Sequence, residues 1–132
     1  MLHEYGLTVD AKSTDKDLSD LEAYYFHNGG WFAIIEFEDL SIVGSYGIYR
    51  ISNNQCELRK MYLDPAHQGK GLGRLMMMDA VEKARELGYT TMILETNRKL
   101  QKAMNLYKKF GFKDYSPSHL SNRCDIGMKK KL

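Results

Sequence analysis

A glycine-rich turn, Gln68-Gly69-Lys70-Gly71-Leu72-Gly73, follows a strand-like run over residues 57–63 and opens a helix-like run that begins at Gly71 and ends near Leu87. Glycines at this density let several backbone N–H groups converge on one point, and the helix that starts there sets the positive end of its dipole at the same point. The turn is therefore a cradle for an anion such as a pyrophosphate. Its wording narrows the choice. The dinucleotide fingerprint G-x-G-x-x-G requires glycine at position 74, where Arg74 stands. A Walker A loop requires Gly-Lys-Ser/Thr, which is missing. What remains is Gln-x-x-Gly-x-Gly over Gln68, Gly71 and Gly73.

The elements around the turn read as a single mixed α/β domain over residues 1–132. Residues 15–26 carry Leu18, Leu21 and Tyr25 at helical spacing, stopped by Gly29-Gly30. Residues 31–37 and 41–51 read as strands, and a Ser52-Asn53-Asn54 turn leads into the strand ending at Leu63, completing an antiparallel meander. Pro65 has no N–H to donate and releases the chain from the sheet. In the next helix Leu72, Met76, Ala80, Ala84 and Leu87 share a face. A strand over residues 90–96, a helix over residues 100–110 with Ala103, Met104, Tyr107 and Phe110 inward, and a strand pair over residues 112–115 and 123–128 complete the chain. The order strand, helix, strand from Glu57 to Thr96 implies two parallel strands with a right-handed crossover.

Composition excludes several classes of partner and chemistry. Formal net charge is +2, and the basic residues are dispersed apart from Lys129-Lys130-Lys131, read as a solvated terminus, so no nucleic acid partner is expected. No apolar run reaches the length of a membrane span and no secretory signal opens the chain, which makes a cytoplasmic protein with no membrane partner the expectation. Cys56 and Cys124 have no metal or redox spacing and read as reduced, and no two histidines stand three or four residues apart, so no metal is expected. Gly44-Ser45-Tyr46-Gly47 lacks the Gly-x-Ser-x-Gly spacing of a serine hydrolase.

With the turn, three motifs in order resemble the GCN5-related N-acetyltransferase (GNAT) superfamily. Gln68, Gly71 and Gly73 match its Gln/Arg-x-x-Gly-x-Gly/Ala loop. Glu57-Leu58-Arg59-Lys60-Met61-Tyr62-Leu63 is similar to its fourth strand, and Leu94-Glu95-Thr96-Asn97 to the end of its fifth. Leu106-Tyr107-Lys108-Lys109-Phe110-Gly111-Phe112 is similar to its closing Leu-Tyr-x-x-x-Gly-Phe. The resemblance implies an acyl-CoA acyltransferase fold whose central parallel strands splay apart. One departure stands out: only residues 1–6 remain where the family carries a first strand and helix. The N-terminal strand is therefore expected to be missing, leaving a sheet edge that a second subunit would cover in a homodimer.

The resemblance also implies roles for residues. Backbone N–H groups of Gln68, Gly69, Lys70, Gly71, Leu72, Gly73 and Arg74 would hold the diphosphate of acetyl-CoA, with Lys70 or Arg74 adding side-chain charge. The backbones of Met61 and Leu63 would bond the pantetheine arm, Met61 N–H acting as the oxyanion donor. Asn97 would bond the same arm, although asparagine is also a favoured helix cap. Tyr107 would protonate the departing thiolate, and Glu57 would serve as general base with Glu95 as a competitor. Tyr25 and Trp31 would wall the acceptor cleft opposite a loop over residues 116–122. The expected activity is acetyl-CoA-dependent transfer to a primary amine of a small molecule or peptide through a ternary complex. The alternative is a catalytically silent acyl-CoA-binding or regulatory module on the same scaffold.

Overall fold

A computed structural model of the chain describes residues 3–5, 29–36, 42–117, 120 and 124–132, with side chains described from residue 29 onward. The helix expected over residues 15–26, and Tyr25 with it, lie outside the described residues. A seven-stranded mixed sheet runs in the order β1-β2-β3-β4-β5-β7-β6. Its strands are β1 (His3–Tyr5), β2 (Trp31–Glu36), β3 (Ile42–Arg50), β4 (Gln55–Leu63), β5 (Thr91–Thr96), β6 (Lys113–Tyr115) and β7 (Ile126–Lys131). Helix α1 (Leu72–Glu86) joins β4 to β5, and α2 (Gln101–Lys109) joins β5 to β6. The β4–β5 pair is parallel and every other pair is antiparallel.

Two expectations are corrected here. The first strand is present: His3, Glu4 and Tyr5 pair antiparallel with Glu36, Ile35 and Ile34, which removes the missing-strand argument for a homodimer. Three residues are too few to show the period-two alternation by which a strand is read. The last strand also runs past its expected end at residue 128 and takes in the lysine run, whose Lys129 and Lys131 are solvated as expected. Lys129, Lys130 and Lys131 lie within β7, opposite Ile93, Met92 and Thr91 of β5. Lysine is poor strand material on propensity, and tertiary pairing overrides it.

Register assigns the two faces of the sheet. Ala33 opposes Tyr46, Ile48 opposes Leu58, Cys56 opposes Met92 and Leu94 opposes Met128, and all eight are buried in the cluster that also takes Met76, Met77, Ala80 and Ala84 of α1 and Met104 and Tyr107 of α2. Both helices thus cover one face. Helix α1 buries Leu72, Met76, Met77, Ala80, Val81 and Ala84, whereas Leu87 is exposed, so the buried stripe is wider than the expected one and ends a turn earlier. Each large apolar side chain in it contributes about 1.5–3 kcal/mol, and packing rather than propensity holds the helix. Tyr46 Oη donates to Asp79 of α1, a polar tie between helix and sheet. The opposite face carries Tyr49, Glu57, Ile93 and Lys129 in successive register across four strands, with Arg59 two residues beyond Glu57.

Candidate functional site

The parallel register of β4 and β5 ends early. Gln55, Cys56 and Glu57 pair with Thr91, Met92 and Ile93, and from Leu58 onward β4 has no partner on β5. On its other side β4 bulges: Ser45 opposes Tyr62 and Gly47 opposes Arg59, so Lys60 and Met61 together face Tyr46. Lys60 takes a positive φ of 56°, a conformation that costs a non-glycine residue about 1–3 kcal/mol and is found where a site demands it. The Ser45 hydroxyl donates to the Lys60 carbonyl at 2.8 Å and steadies the bulge. Met61 thus stands free of the parallel ladder, at the point where the strands have parted.

A cleft of about 440 Å³ opens beside this segment. Met61, Tyr62 and Leu63 of β4 form one wall, Gln68, Gly69, Gly71, Gly73 and Arg74 the phosphate-cradle end, and Lys102, Ala103, Leu106 and Tyr107 of α2 the other wall. Its charged lining residues are Arg74 and Lys102, and no carboxylate lines it among the described residues. An elongated anion fits such a cleft, with its charged part at the loop and its apolar part along β4.

The loop is shaped for that purpose. Asp64 accepts from the Ala66 N–H at 2.9 Å and caps a one-turn 3₁₀ segment, Pro65–His67, that turns the chain away from the sheet. Gln68 Nε2 then donates to the Leu63 carbonyl at 3.1 Å, lashing the loop to the end of β4. Gly69 and Gly71 have φ of +79° and +82°, and a Cβ at either would meet no protein atom within 4 Å. The backbone angle, not crowding, selects glycine there. The helical ladder begins with Leu75 N–H donating to Gly71 O at 3.1 Å, which leaves the N–H groups of Leu72, Gly73 and Arg74 ahead of it at the positive end of a 15-residue helix with no acid in its first turn.

Most of the expected cradle residues come together here. The Gln68 N–H already donates to Pro65 O at 3.3 Å, so that residue acts through its side chain on Leu63 and the open amides begin at Gly69. Asn97 does not line the cleft; its Oδ1 accepts from the Lys99 N–H at 2.9 Å and its carbonyl from the Leu100 N–H, making it the turn into α2. Trp31, expected at the acceptor wall and not in the cradle, has its ring under Lys83 Nζ of α1 at 4.1 Å. The exposed Lys70 and the buried Leu72 have no side chain in the cleft. Lys102 was not foreseen, because a lysine on an amphipathic helix looks like any solvated residue.

Tyr107 lines the cleft and is 7% exposed, edge-on to Phe112 with ring centroids 5.9 Å apart. Burial, with Cys124 adding to it, holds its phenol above the ordinary tyrosine range, so it carries its proton at neutral pH. Glu57 lies on the opposite face of the sheet, at the last paired position before the strands part. It is buried rather than on a solvent face, and Arg59 Nε holds its Oε1 at 2.6 Å. Glu95 is on that face too, one strand over, and both carboxylates raise the Tyr115 phenol after burial has done so. The two candidate proton-transfer groups thus lie on opposite sides of the sheet, joined by the gap between β4 and β5.

A sheet parted at its centre, with a helix-capped anion loop beside the gap, defines an acyl-CoA acyltransferase. The model of the acetyltransferase (GNAT) family matches residues 3–112, and the chain belongs to that family, an enzyme of the N-acetyltransferase class. It is 37% identical over 98% of its length to YjgM, an uncharacterised N-acetyltransferase of Escherichia coli strain K12, covering 81% of that protein. Against the N-acetylaspartate synthetase of Xenopus tropicalis it is 33% identical over 74% of its length but covers 36% of that longer protein. Among solved structures, an acetyltransferase of the GNAT family from Staphylococcus aureus superposes with a TM-score of 0.86 at 20% identity over 100% of this chain and 99% of the other. A GNAT acetyltransferase from Elizabethkingia anophelis, solved with acetyl-CoA bound, superposes with a TM-score of 0.74 at 19% identity, covering 100% and 97%.

Proposed function

We propose that the chain transfers an acetyl group from acetyl-CoA to a primary amine by direct attack within a ternary complex. One observation carries the reading: a single cleft is lined at once by the cradle glycines, by the stretch of β4 that has no partner on β5 and by Tyr107. The diphosphate lies against the amides from Gly69 to Arg74, with Arg74 and Lys102 adding charge, and the pantetheine arm runs along Met61 and Leu63 as an extra strand. Met61 N–H meets the acetyl oxygen, where a donor of this kind is worth about 3–4 kcal/mol. Relatives named as N-acetyltransferases, and one named for N-acetylaspartate synthesis, support an amine as the acceptor. A structural neighbour solved with acetyl-CoA supports that co-substrate.

The chemistry then divides across the gap. Glu57 takes a proton from the acceptor ammonium, and the amine nitrogen attacks the thioester carbon, placing negative charge on the oxygen under Met61. Collapse breaks the carbon–sulfur bond, Tyr107 protonates the thiolate, and the proton left on the new amide nitrogen passes to solvent, from which the phenol is restored. Cys56 is buried on the helix face and paired in β4, which speaks against an acetyl-cysteine intermediate. The test is thermal shift with acetyl-CoA followed by thiol release across a panel of amines. Stabilisation and release on at least one amine are expected. Stabilisation with no release would make the chain a binding module, and absence of both would overturn the reading.

A further inference from the structure

We infer that the acceptor is an amino acid, with a carboxylate next to the amine that is acetylated, and that Arg59 is the residue that selects for it. The inference rests on the transferase reading above and concerns the acceptor face of the same site. On that face the first side chain beyond the last paired residue of β4 is a cation. Arg59 Nε is 2.6 Å from Glu57 Oε1, and its guanidinium lies 3.9 Å above the Tyr49 ring centroid. Stacking fixes the guanidinium plane, and the ion pair fixes its rotation about that plane. The Cα partner of Arg59 on β3 is Gly47, which brings no side chain beside it. The Arg59 side chain keeps 35% of its surface open while that of Glu57 keeps 11%, so the arginine is the more accessible member of the pair.

Charge decides what such a pair accepts. A simple alkylammonium drawn to Glu57 is pushed back by a guanidinium within hydrogen-bond distance of the same carboxylate, so the pair is a poor site for a lone cation. A molecule whose carboxylate lies a few bonds from its ammonium reverses that: its negative end meets Arg59 while its positive end meets Glu57, two opposed dipoles side by side. The planar fork of arginine suits a carboxylate. Docked so, the amine lies at Glu57, against the mouth of the gap through which the thioester must reach it. Glu95, two residues beyond Ile93 on the neighbouring strand, stands across the gap at the level of Arg59, and the guanidinium disfavours acceptors with a second cation at that end.

The experiment measures thiol release from acetyl-CoA with each of the standard amino acids offered both as the free acid and as its carboxamide. Amidation lowers the basicity of the amine and so raises the fraction of free amine at neutral pH, which works against the expected result. For the best acceptors kcat/KM is expected to fall roughly tenfold to a hundredfold on amidation, the size of one charge-assisted contact. Arg59→Gln should bring acid and amide to within about twofold, Arg59→Lys should restore part of the preference, and the KM for acetyl-CoA should stay put, which a merely structural arginine would not do. The acid-to-amide ratio of the unaltered protein decides the matter even if the variants fold poorly. Equal turnover of acid and amide, or turnover confined to amines without a carboxylate, overturns this inference and leaves the acetyl-transfer reading standing. Thiol release with none of the panel, amines without a carboxylate included, overturns both.

Discussion

Glu57 and Ile93 are the last Cα partners of the parallel β4–β5 pair, and the sheet opens immediately beyond them. The hinge of the gap is therefore a carboxylate on the face away from both helices, while Tyr107 approaches from the helix face. In the proposed reaction an acetyl group threaded through the gap would have Glu57 on one side and Tyr107 on the other. Glu57→Gln keeps the shape and a hydrogen bond for Arg59 but removes the base. Turnover should fall by about 10²–10⁴ with acetyl-CoA affinity little changed, measured by initial rates and thermal shift. An unaltered rate would pass the role to Glu95.

Tyr107→Phe should lower kcat at saturating acetyl-CoA by about 10²-fold while leaving the fold intact, because the ring and its edge contact with Phe112 remain. The pH profile gives a second check. Burial keeps the phenol protonated beyond the ordinary tyrosine value, so the acid form persists across the neutral and mildly alkaline range. Loss of rate as pH rises from 7 to about 9 should therefore not come from this group. A Tyr107→Phe variant that turns over normally removes it from the chemistry.

The cradle glycines can be tested without touching the core. Alanine at Gly71 would meet no protein atom, yet it must hold a φ of +82°, at a cost of about 1–2 kcal/mol for an L side chain. Gly71→Ala should thus weaken acetyl-CoA binding and raise its KM. Gly71→Asn should be milder in stability, since asparagine tolerates this conformation. Equal KM values for all three proteins would mean that the loop does not carry the diphosphate.

Gln68 is expected to act through position, not contact. Gln68→Ala removes the bond to the Leu63 carbonyl and unfastens the loop from β4, at about 1 kcal/mol of stability by the usual worth of such a bond. The KM for acetyl-CoA should rise severalfold with little change in kcat. Hydrogen exchange at the amides of residues 69–71 should quicken in the variant, a readout that direct ligand contact would not predict.

How much of this was legible beforehand follows the range of the interactions involved. The loop, β4 and α2 were readable because each is a local pattern: glycines at fixed offsets, a strand run broken by Pro65, and a helical stripe ending in Phe110-Gly111. The splay was implied by resemblance alone, since no local feature of residues 58–63 says that their far edge lacks a partner. Arg59 reads as an ordinary strand residue until Tyr49 and Glu57 are placed around it, and Tyr49 comes from another strand. Trp31 is placed at the acceptor wall by resemblance, and its contact with Lys83, fifty-two positions away, is one that no local rule reports. His3–Tyr5 is too short to announce itself.

Cys56 supplies a test of the core and not of the site. Its thiol is fully buried in β4, and burial pushes its pKa from the ordinary 9.0 up to about 12. The native state therefore holds this proton where the unfolded chain has released it. Stability is untouched below about pH 9 and should decline by about 1.4 kcal/mol per pH unit above that, until the folded value is reached. The raised phenols of Tyr89 and Tyr107 act with the same sign, while Lys130, whose pKa burial lowers, acts weakly against it. Urea unfolding at pH 7 and at about pH 10.5 should show the loss, and Cys56→Ala should remove a part of it that no surface cysteine could account for. Alkylation gives the complementary readout: at pH 8 Cys124 should react in the folded protein and Cys56 only after denaturant is added. Rapid native labelling of Cys56 would mean that the centre of the sheet opens far more readily than its packing implies.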